Sequence, residues 1–218
     1  MEDPHSQHRY QVRFEYGAAG AAAVGNGVDV VVWVDVLDTD PGVVQSAASA
    51  TGPDASRSGA GSSAGPDASS SAGNARPTDP LDGILPHAAV VAGGFRNRTA
   101  VAHWVLDRQA TKGDRFTVAV IAAGARRTDG TPRFTVEDML AAGAVVDALA
   151  GVGIDYCSPE AAAACAAFTS LSRATAHLVS ASGSGQQLID LGRRSDVDDA
   201  CELDAAQLVP VLREVARP

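Results

Sequence analysis

The chain has 218 residues, and its 17 Lys and Arg against 26 Asp and Glu give a formal net charge of −9. This acidic balance argues against a generic binder of nucleic acids or of anionic membranes. Apolar residues make up 45 % of the chain and aromatic residues only 5 %. A chain of this size and composition can bury a core large enough for an enzyme, which excludes disorder throughout its length but not in a part of it.

The beginning of the chain is predicted to form a strand, a helix and a second strand. Residues 9–15 alternate between polar and apolar side chains, and residues 17–24 are rich in small side chains. Residues 28–37 form a β-branched run, VDVVVWVDVL, which is typical of a strand buried on both faces. Residues 1–44 are therefore assigned to the first part of an α/β domain.

A low-complexity segment follows. Residues 45–78 consist mainly of Ser, Ala, Gly and Pro, and the sequence Gly-Pro-Asp-Ala-Ser occurs in them twice, from Gly52 and from Gly65. This composition has too few large apolar side chains to offset the entropy of ordering the chain. It predicts a disordered insert between the first part of the α/β domain and its remainder, residues 79–218.

The second half alternates again between strand and helix patterns. Thr135-Val-Glu-Asp has the pattern of a capping box, and Ser158 followed by Pro159 is typical of a helix N-cap and first turn. Strands are predicted at residues 88–93 and 116–123, and helices at residues 99–108, 135–149, from 158 onward and 184–191. This alternation predicts a three-layer α/β/α fold with a largely parallel sheet.

Carboxylates follow the most apolar strand. Asp35, Asp38 and Asp40 lie within six residues of one another, and such clusters commonly hold a hard cation such as Mg²⁺. Asp38 and Asp40 can equally be turn residues before Pro41-Gly42. Asp35 is different because it lies inside the apolar run, where an unpaired carboxylate is costly.

A second pair of carboxylates, Glu137 and Asp138, begins the clearest predicted helix. The pair could supply a metal ligand and a general base. Acidic residues in a first helical turn also interact well with the helix dipole, and Asp138 occupies the capping-box position. On spacing alone, helix capping is the favoured interpretation.

Basic and amide side chains follow two other predicted strands. Arg96 and Asn97 come after the strand at 88–93, and Arg126 and Arg127 after the strand at 116–123. Guanidinium and backbone N–H groups at such positions can grip an oxyanion, although any one arginine there can be a solvated surface residue. The segment from Ser182 to Gly185 could also bind an anion, but an ordinary N-cap is favoured.

The three cysteines, Cys157, Cys165 and Cys201, have no C-x-x-C spacing, and the polar start of the chain lacks the apolar core of a signal peptide. We therefore expect reduced thiols in a cytoplasmic protein. The apolar run at residues 30–34 is far too short to cross a bilayer, so no membrane association is expected. The sequence leaves the oligomeric state open.

Several segments together resemble one known family, the 2-phosphosulfolactate phosphatases. They are VVAGGFRNRTAVAHWV, VAVIAAGARRTDGTPRFTVEDMLAAGAVVDAL, SPEAAAACAAF and SASGSGQQLIDLGRRSDVDDACELDAAQLVPVL, together with the opening strand, helix and strand. The resemblance implies an α/β hydrolase that depends on Mg²⁺ and acts on a small anionic phosphomonoester. In the family this substrate is 2-phospho-3-sulfolactate, converted to 3-sulfolactate and phosphate on the route to coenzyme M.

The resemblance also implies roles for individual residues. The expected catalytic positions are Asp35, Asn97, Glu137 and Asp138. Of these, Asp35, Glu137 and Asp138 are expected to hold Mg²⁺. Arg96, Asn97 and Arg126 are expected to bind the anionic substrate.

The chain departs from the family pattern at three places. Residues 38–42, Asp-Thr-Asp-Pro-Gly, replace an Arg-Ala-Thr or Ser/Thr-rich stretch, and they also resemble weakly the opening motif of nucleoside hydrolases. The family's Asn-Gly loop is absent after Pro86, and Ala125 stands where the family commonly has Glu. The departures keep an alternative open: a catalytically impaired member that serves as a ligand- or protein-binding module.

Overall fold

The computed structural model describes residues 4–37, 79–129 and 131–215. The predicted insert at 45–78 and the residues Asp38 and Asp40 lie outside this part of the chain. The strands of the described part are β1 (Val12–Tyr16), β2 (Val30–Val34), β3 (Ala89–Ala92), β4 (Val118–Ala122), β5 (Ala125–Arg126), β6 (Pro132–Arg133) and β7 (Val211–Arg213). The helices are α1 (Gly17–Val24), α2 (Arg98–Lys112), α3 (Val136–Gly151), α4 (Pro159–Leu171), α5 (Thr175–Ala181), α6 (Gly183–Asp190) and α7 (Arg194–Ala200).

Five strands form one sheet in the order β1-β4-β2-β3-β7, and β5 and β6 form a separate two-stranded hairpin. The first four strands of the sheet are parallel, and β7 is antiparallel at its edge. Every residue of β2 and of β4 is buried, as expected for parallel strands covered on both faces. The largely parallel sheet predicted from the sequence is confirmed.

The two faces of the sheet are covered unequally. Helices α2, α3 and α4 lie over one face, on a core that includes Val32, Val120 and Leu140. On the opposite face, α1 packs with Leu81 against the alternate side chains of the same strands, such as Trp33 and Ile121. The arrangement is the predicted three-layer α/β/α fold, with a thin layer on the α1 side.

Two close approaches shape these layers. Gly17 has a φ of 60°, a conformation that favours glycine, and α1 therefore begins directly after β1. Gly143 lets α3 and α4 meet at their backbones, because a Cβ atom there would lie 2.1 Å from the carbonyl oxygen of Ala164. Both positions depend on the absence of a side chain.

Local sequence signals locate several helix ends correctly. Ser158 caps α4 by accepting a hydrogen bond from the N–H of Ala161 at 3.1 Å, and Ser182 caps α6 in the same way with Gly185 at 3.1 Å. Helix α2 continues past the predicted end at Arg108 to Lys112 and stops at Gly113, whose φ is 72°. The N-cap interpretation of Ser182 is confirmed.

The elements after α4 were only partly predicted. Helices α5 and α7, strand β7 and the β5–β6 hairpin gave no clear signal, because they are short and their sequences lack a sustained apolar period. The chain after α7 nevertheless makes a contact that stabilises the start of α2. Asp204, with a φ of 54°, accepts hydrogen bonds from the N–H of Thr99 at 3.0 Å and from Nε of Arg98 at 3.1 Å. It thereby caps α2 from a distant part of the chain.

Among the described helices, none combines the length and apolar character needed to cross a membrane.

Candidate functional site

The carboxyl ends of the parallel strands meet at one edge of the sheet, where ligands of open α/β sheets commonly bind. Tyr16 ends β1, Asp35 follows β2 and Gly124 lies just after β4. Helix α3 begins at the same edge with Glu137 and Asp138. Three of the four positions predicted to be catalytic are therefore brought to one place.

Asp138 connects the ends of two strands. Its Oδ1 accepts a hydrogen bond from the N–H of Val36 at 2.9 Å, and its Oδ2 accepts one from the N–H of Gly124 at 3.0 Å. Oδ2 also accepts a hydrogen bond from the hydroxyl of Thr135 at 2.7 Å. Asp138 is 2 % exposed, so this clamp between β2 and β4 lies inside the protein.

The capping-box interpretation of this helix start is wrong in its geometry. Thr135 is the N-cap of α3, but its hydroxyl accepts no hydrogen bond from the helix backbone. It donates to Asp138 instead. The carboxylate of Asp138 is turned to the strand ends because two loop N–H groups there need an acceptor.

The environment of Asp138 disfavours its charged form. Burial and the neighbouring charge of Asp35 raise the pKa of Asp138 to about 7, against the opposing effect of the hydrogen bonds from Thr135 and Val36. Glu137 contributes to the same shift. Asp35 itself is half-buried at the end of β2. Like charges held together in a buried site are a common feature of catalytic and cation-binding sites.

Glu137 differs from its neighbour. It is also 2 % exposed, but within the described residues no group donates a hydrogen bond to its carboxylate and no cation pairs with it. Its oxygens are nevertheless not among the fully buried polar atoms that lack a partner, so solvent still reaches the carboxylate at this edge of the sheet. The structure therefore distinguishes Asp138, which is fully engaged, from Glu137, which is available.

Tyr16 is a residue of this edge that the sequence did not indicate. Its ring lies between Phe14 and Phe134, with centroid distances of 5.3 and 5.6 Å, and its hydroxyl is buried with no hydrogen-bond partner in the described part of the chain. Burial, followed by the charges of Asp138, Glu15 and Glu137, raises the pKa of Tyr16 far above its ordinary value. The only sequence signal was an aromatic residue with a hydroxyl directly before Gly17, with which α1 begins.

The turn between β3 and α2 holds the other predicted residues. Asn97 is buried, its Oδ1 accepts a hydrogen bond from the N–H of Gly94 at 3.0 Å, and its Nδ2 donates to the carbonyls of Ala92 and Leu208 at 3.1 and 3.2 Å. Backbone groups thus use both ends of the amide. Asn97 shapes the turn and joins it to the C-terminal segment.

The predicted substrate-binding arginines belong to different elements, Arg96 to the turn before α2 and Arg126 to β5. The Nη1 of Arg96 donates to the carbonyl of Asp199 at 2.9 Å and lies 3.9 Å from Glu202. Its Nε is buried and has no hydrogen-bond partner in the part of the chain that the structure describes. Arg126 is exposed in β5. The β5–β6 hairpin that carries it contacts the site through Gly124, because a Cβ atom at that position would lie 2.8 Å from the carbonyl oxygen of Arg133.

Comparison with protein families gives a match over residues 78–215 to the family described as 2-phosphosulpholactate phosphatase. The match includes every described helix and strand from β3 to β7. The chain belongs to the 2-phosphosulpholactate phosphatase family. No curated protein with which the chain was compared matches it.

The 2-phosphosulpholactate phosphatase match covers Glu137, Asp138 and the hairpin but not Asp35, which precedes residue 78. Asp35 is linked to the matched part through the structure, since β4 pairs with both β1 and β2. The segment before the insert and the segment after it therefore form one sheet and one site.

The carboxylates at this edge of the sheet are the residues that a divalent cation would need. Within residues 4–37, 79–129 and 131–215, no cluster of three or more His, Cys, Asp or Glu side chains is arranged to hold a metal ion. Mg²⁺, however, usually takes only one or two carboxylates and completes its shell with water and phosphate oxygens. Asp35 and Glu137, whose charges both act on Asp138, match that smaller requirement in number and in ligand type, and Asp138 already accepts three hydrogen bonds.

Proposed function

We propose that the chain is a Mg²⁺-dependent phosphatase of a small anionic phosphomonoester, with 2-phospho-3-sulfolactate as the candidate substrate. The observation that carries the proposal is the carboxylate of Glu137, a residue only 2 % exposed at the carboxyl edge of the sheet, to which no group of the described residues donates a hydrogen bond. The family supports the reaction class. The position of Glu137 beside Asp138 supports the assignment of the site.

In this proposal Asp35 and Glu137 hold the cation, with Asp138 as the third residue of the acidic group. Bound Mg²⁺ would neutralise phosphate charge and favour attack by water. Hydrolysis forms a bond between the water oxygen and phosphorus and breaks the ester P–O bond, which yields a hydroxy acid and inorganic phosphate. Glu137 can accept a hydrogen bond from the attacking water, since no described residue already donates to it.

The remaining predicted residues have supporting roles in the proposal. Arg126, exposed in β5, and Arg96, whose Nε has no partner among the described residues, would supply positive charge for the anionic substrate. Asn97 acts through the turn that it holds, because its amide already bonds to Gly94, Ala92 and Leu208. Asp138 keeps the ends of β2 and β4 at a fixed separation.

The test is phosphate release from 2-phospho-3-sulfolactate and from simple phosphomonoesters, with Mg²⁺ or with EDTA. Glu137→Gln removes the charge and keeps the shape, so kcat/KM is expected to fall by about 100-fold or more. The unfolding free energy should stay the same or rise, because the lost charge has no partner. Glu160→Gln is the matched control, since Glu160 also lies in the first turn of a helix but is exposed.

The outcomes separate the candidate functions. Mg²⁺-dependent turnover that Glu137→Gln abolishes and Glu160→Gln preserves would support the proposal. Equal turnover by both variants would place the chemistry elsewhere. No turnover by the unaltered protein, together with no effect of Mg²⁺ on its melting temperature, would favour a catalytically impaired binding module.

A further inference from the structure

The hydroxyl of Tyr16 is a buried hydrogen-bond donor for which residues 4–37, 79–129 and 131–215 provide no acceptor. Leaving such a group unsatisfied costs stability, and native structures contain few of them. Phenylalanine would fill the same space without that cost. The presence of the hydroxyl therefore requires an explanation that the fold does not provide.

The position of Tyr16 connects this hydroxyl with the site. Tyr16 is the last residue of β1 and packs against Phe134, two residues before α3 begins. Its ring also contacts the region of Gly124, where a Cβ atom would lie 3.9 Å from Cδ1 of Tyr16. Gly124 is one of the two residues that Asp138 clamps.

The electrostatic surroundings determine what the hydroxyl can do. Burial keeps the phenol protonated, and three carboxylates, those of Asp138, Glu15 and Glu137, act on it in the same direction. None of the three accepts its hydrogen bond: Asp138 is engaged with backbone N–H groups, and Glu15 accepts from the N–H of Tyr16 at 2.9 Å. The hydroxyl is thus a donor without an acceptor among its own neighbours.

We infer that Tyr16 is a substrate-binding residue whose hydroxyl donates a hydrogen bond to a phosphoryl oxygen of the bound phosphomonoester. The inference rests on the proposed phosphatase function and adds a residue to it. The acceptor arrives with the ligand, which explains why the donor has no partner beforehand. A phosphoryl oxygen is suited to this role because it is a strong, charged acceptor.

The test compares Tyr16→Phe with the unaltered protein in kinetics and in stability. Loss of one hydrogen bond to a charged oxygen predicts a fall in kcat/KM of about 10- to 100-fold. The urea midpoint should be unchanged or higher, because the lost hydroxyl had no partner. A structural role predicts the reverse, a lower midpoint with unchanged kcat/KM.

Tyr156→Phe is the matched control. It removes the same atom from an exposed tyrosine at the other end of β1, where the backbone N–H of Gln11 donates to the carbonyl of Tyr156 at 2.9 Å. This variant should keep the kcat/KM of the unaltered protein. A loss of kcat/KM in Tyr156→Phe equal to that in Tyr16→Phe would overturn the inference, as would unchanged kcat/KM in Tyr16→Phe.

A second measurement separates this inference from the proposed function. If the unaltered protein hydrolyses no phosphomonoester, the proposed function fails, and the binding of inorganic phosphate then tests Tyr16 directly. A rise in melting temperature with phosphate that is lost in Tyr16→Phe and kept in Tyr156→Phe would support the hydrogen bond to phosphate oxygen. Equal shifts in all three proteins, or no shift in any of them, would overturn it.

Discussion

At the scale of single residues, the adjacent carboxylates of Glu137 and Asp138 differ in their hydrogen bonds. Glu137 and Asp138 are equally buried, but only Asp138 accepts hydrogen bonds, from Val36, Gly124 and Thr135. The carboxyl oxygens of Asp138 therefore have hydrogen-bond donors, and those of Glu137 have none among the described residues. We therefore expect the loss of Asp138 to lower both stability and activity, and the loss of Glu137 to lower mainly activity.

The comparison of Glu137→Ala with Asp138→Ala tests whether only Asp138 contributes to stability through its hydrogen bonds. Asp138→Ala leaves two backbone N–H groups and a hydroxyl without their acceptor, and even one such loss costs about 1–3 kcal/mol of unfolding free energy. Glu137→Ala breaks no hydrogen bond and should cost clearly less, although phosphatase activity should fall in both variants. Urea denaturation at neutral pH measures the difference. Equal losses of unfolding free energy in the two variants would contradict this difference between Glu137 and Asp138.

The sequence could name these residues but could not distinguish them. Spacing showed that Glu137 and Asp138 begin a helix, and capping was the natural interpretation. The partners that decide the matter, Val36 and Gly124, belong to loops after two separate strands. Local spacing contains no information on which distant N–H groups need an acceptor, and for the same reason it did not reveal Tyr16.

At the scale of elements, the beginning of α2 is capped by a residue far along the chain. Asp204 accepts from the N–H of Thr99 and pairs with Arg98. Burial alone would raise the pKa of Asp204, but the hydrogen bonds from Thr99 and the charge of Arg98 outweigh burial and lower it. A carboxyl group with a lowered pKa stabilises the fold when it is ionised.

Asp204→Asn should reveal this as a dependence on pH. Asparagine tolerates the left-handed backbone of this position and keeps one acceptor for Thr99, but it loses the ion pair. The unaltered protein should exceed the variant in unfolding free energy above about pH 5, and the difference should shrink as pH falls below about 4. Denaturation curves at several pH values measure this. A difference that does not depend on pH would exclude a role for the charge.

The contact between α3 and α4 gives another test at this scale. A Cβ atom at Gly143 would lie 2.1 Å from the backbone oxygen of Ala164, so Gly143→Ala must push the helices apart. Such overpacking costs about 1–3 kcal/mol. Gly151→Ala, in the last turn of the same helix, meets nothing within 4 Å and should be neutral or slightly stabilising. The two melting temperatures are the measurement, and equal values would contradict the close contact.

Elements with strong local signals were predictable, and the others were not. Helix α1 has the predicted bounds, and α4 starts where Ser158 and Pro159 indicate. Strand β7 has three residues, and the hairpin strands have two each. Such short strands form because neighbouring elements offer partners, and no local pattern encodes those partners.

At the scale of the whole molecule, the sheet combines segments from both sides of the predicted insert at 45–78. The insert itself lies outside the described residues, so its disorder stays a prediction. Reordering residues 45–78 at constant composition should leave the melting temperature and the phosphate-release activity unchanged, because a disordered insert acts through its length and composition. A fall in either quantity would show that the order of these residues matters.

The place of β4 in the sheet has a consequence for synthesis on the ribosome. Strands β1 and β2 are each hydrogen-bonded to β4, which lies between them. The nascent chain cannot close its sheet until residue 122 has been translated, which is roughly 4–18 s after residue 34 at about 5–20 residues per second. During that interval β1 has no strand partner, and β2 has none until residue 92 of β3 has been translated and one exposed edge after that. The long middle of this chain therefore sets a delay during which folding competes with aggregation.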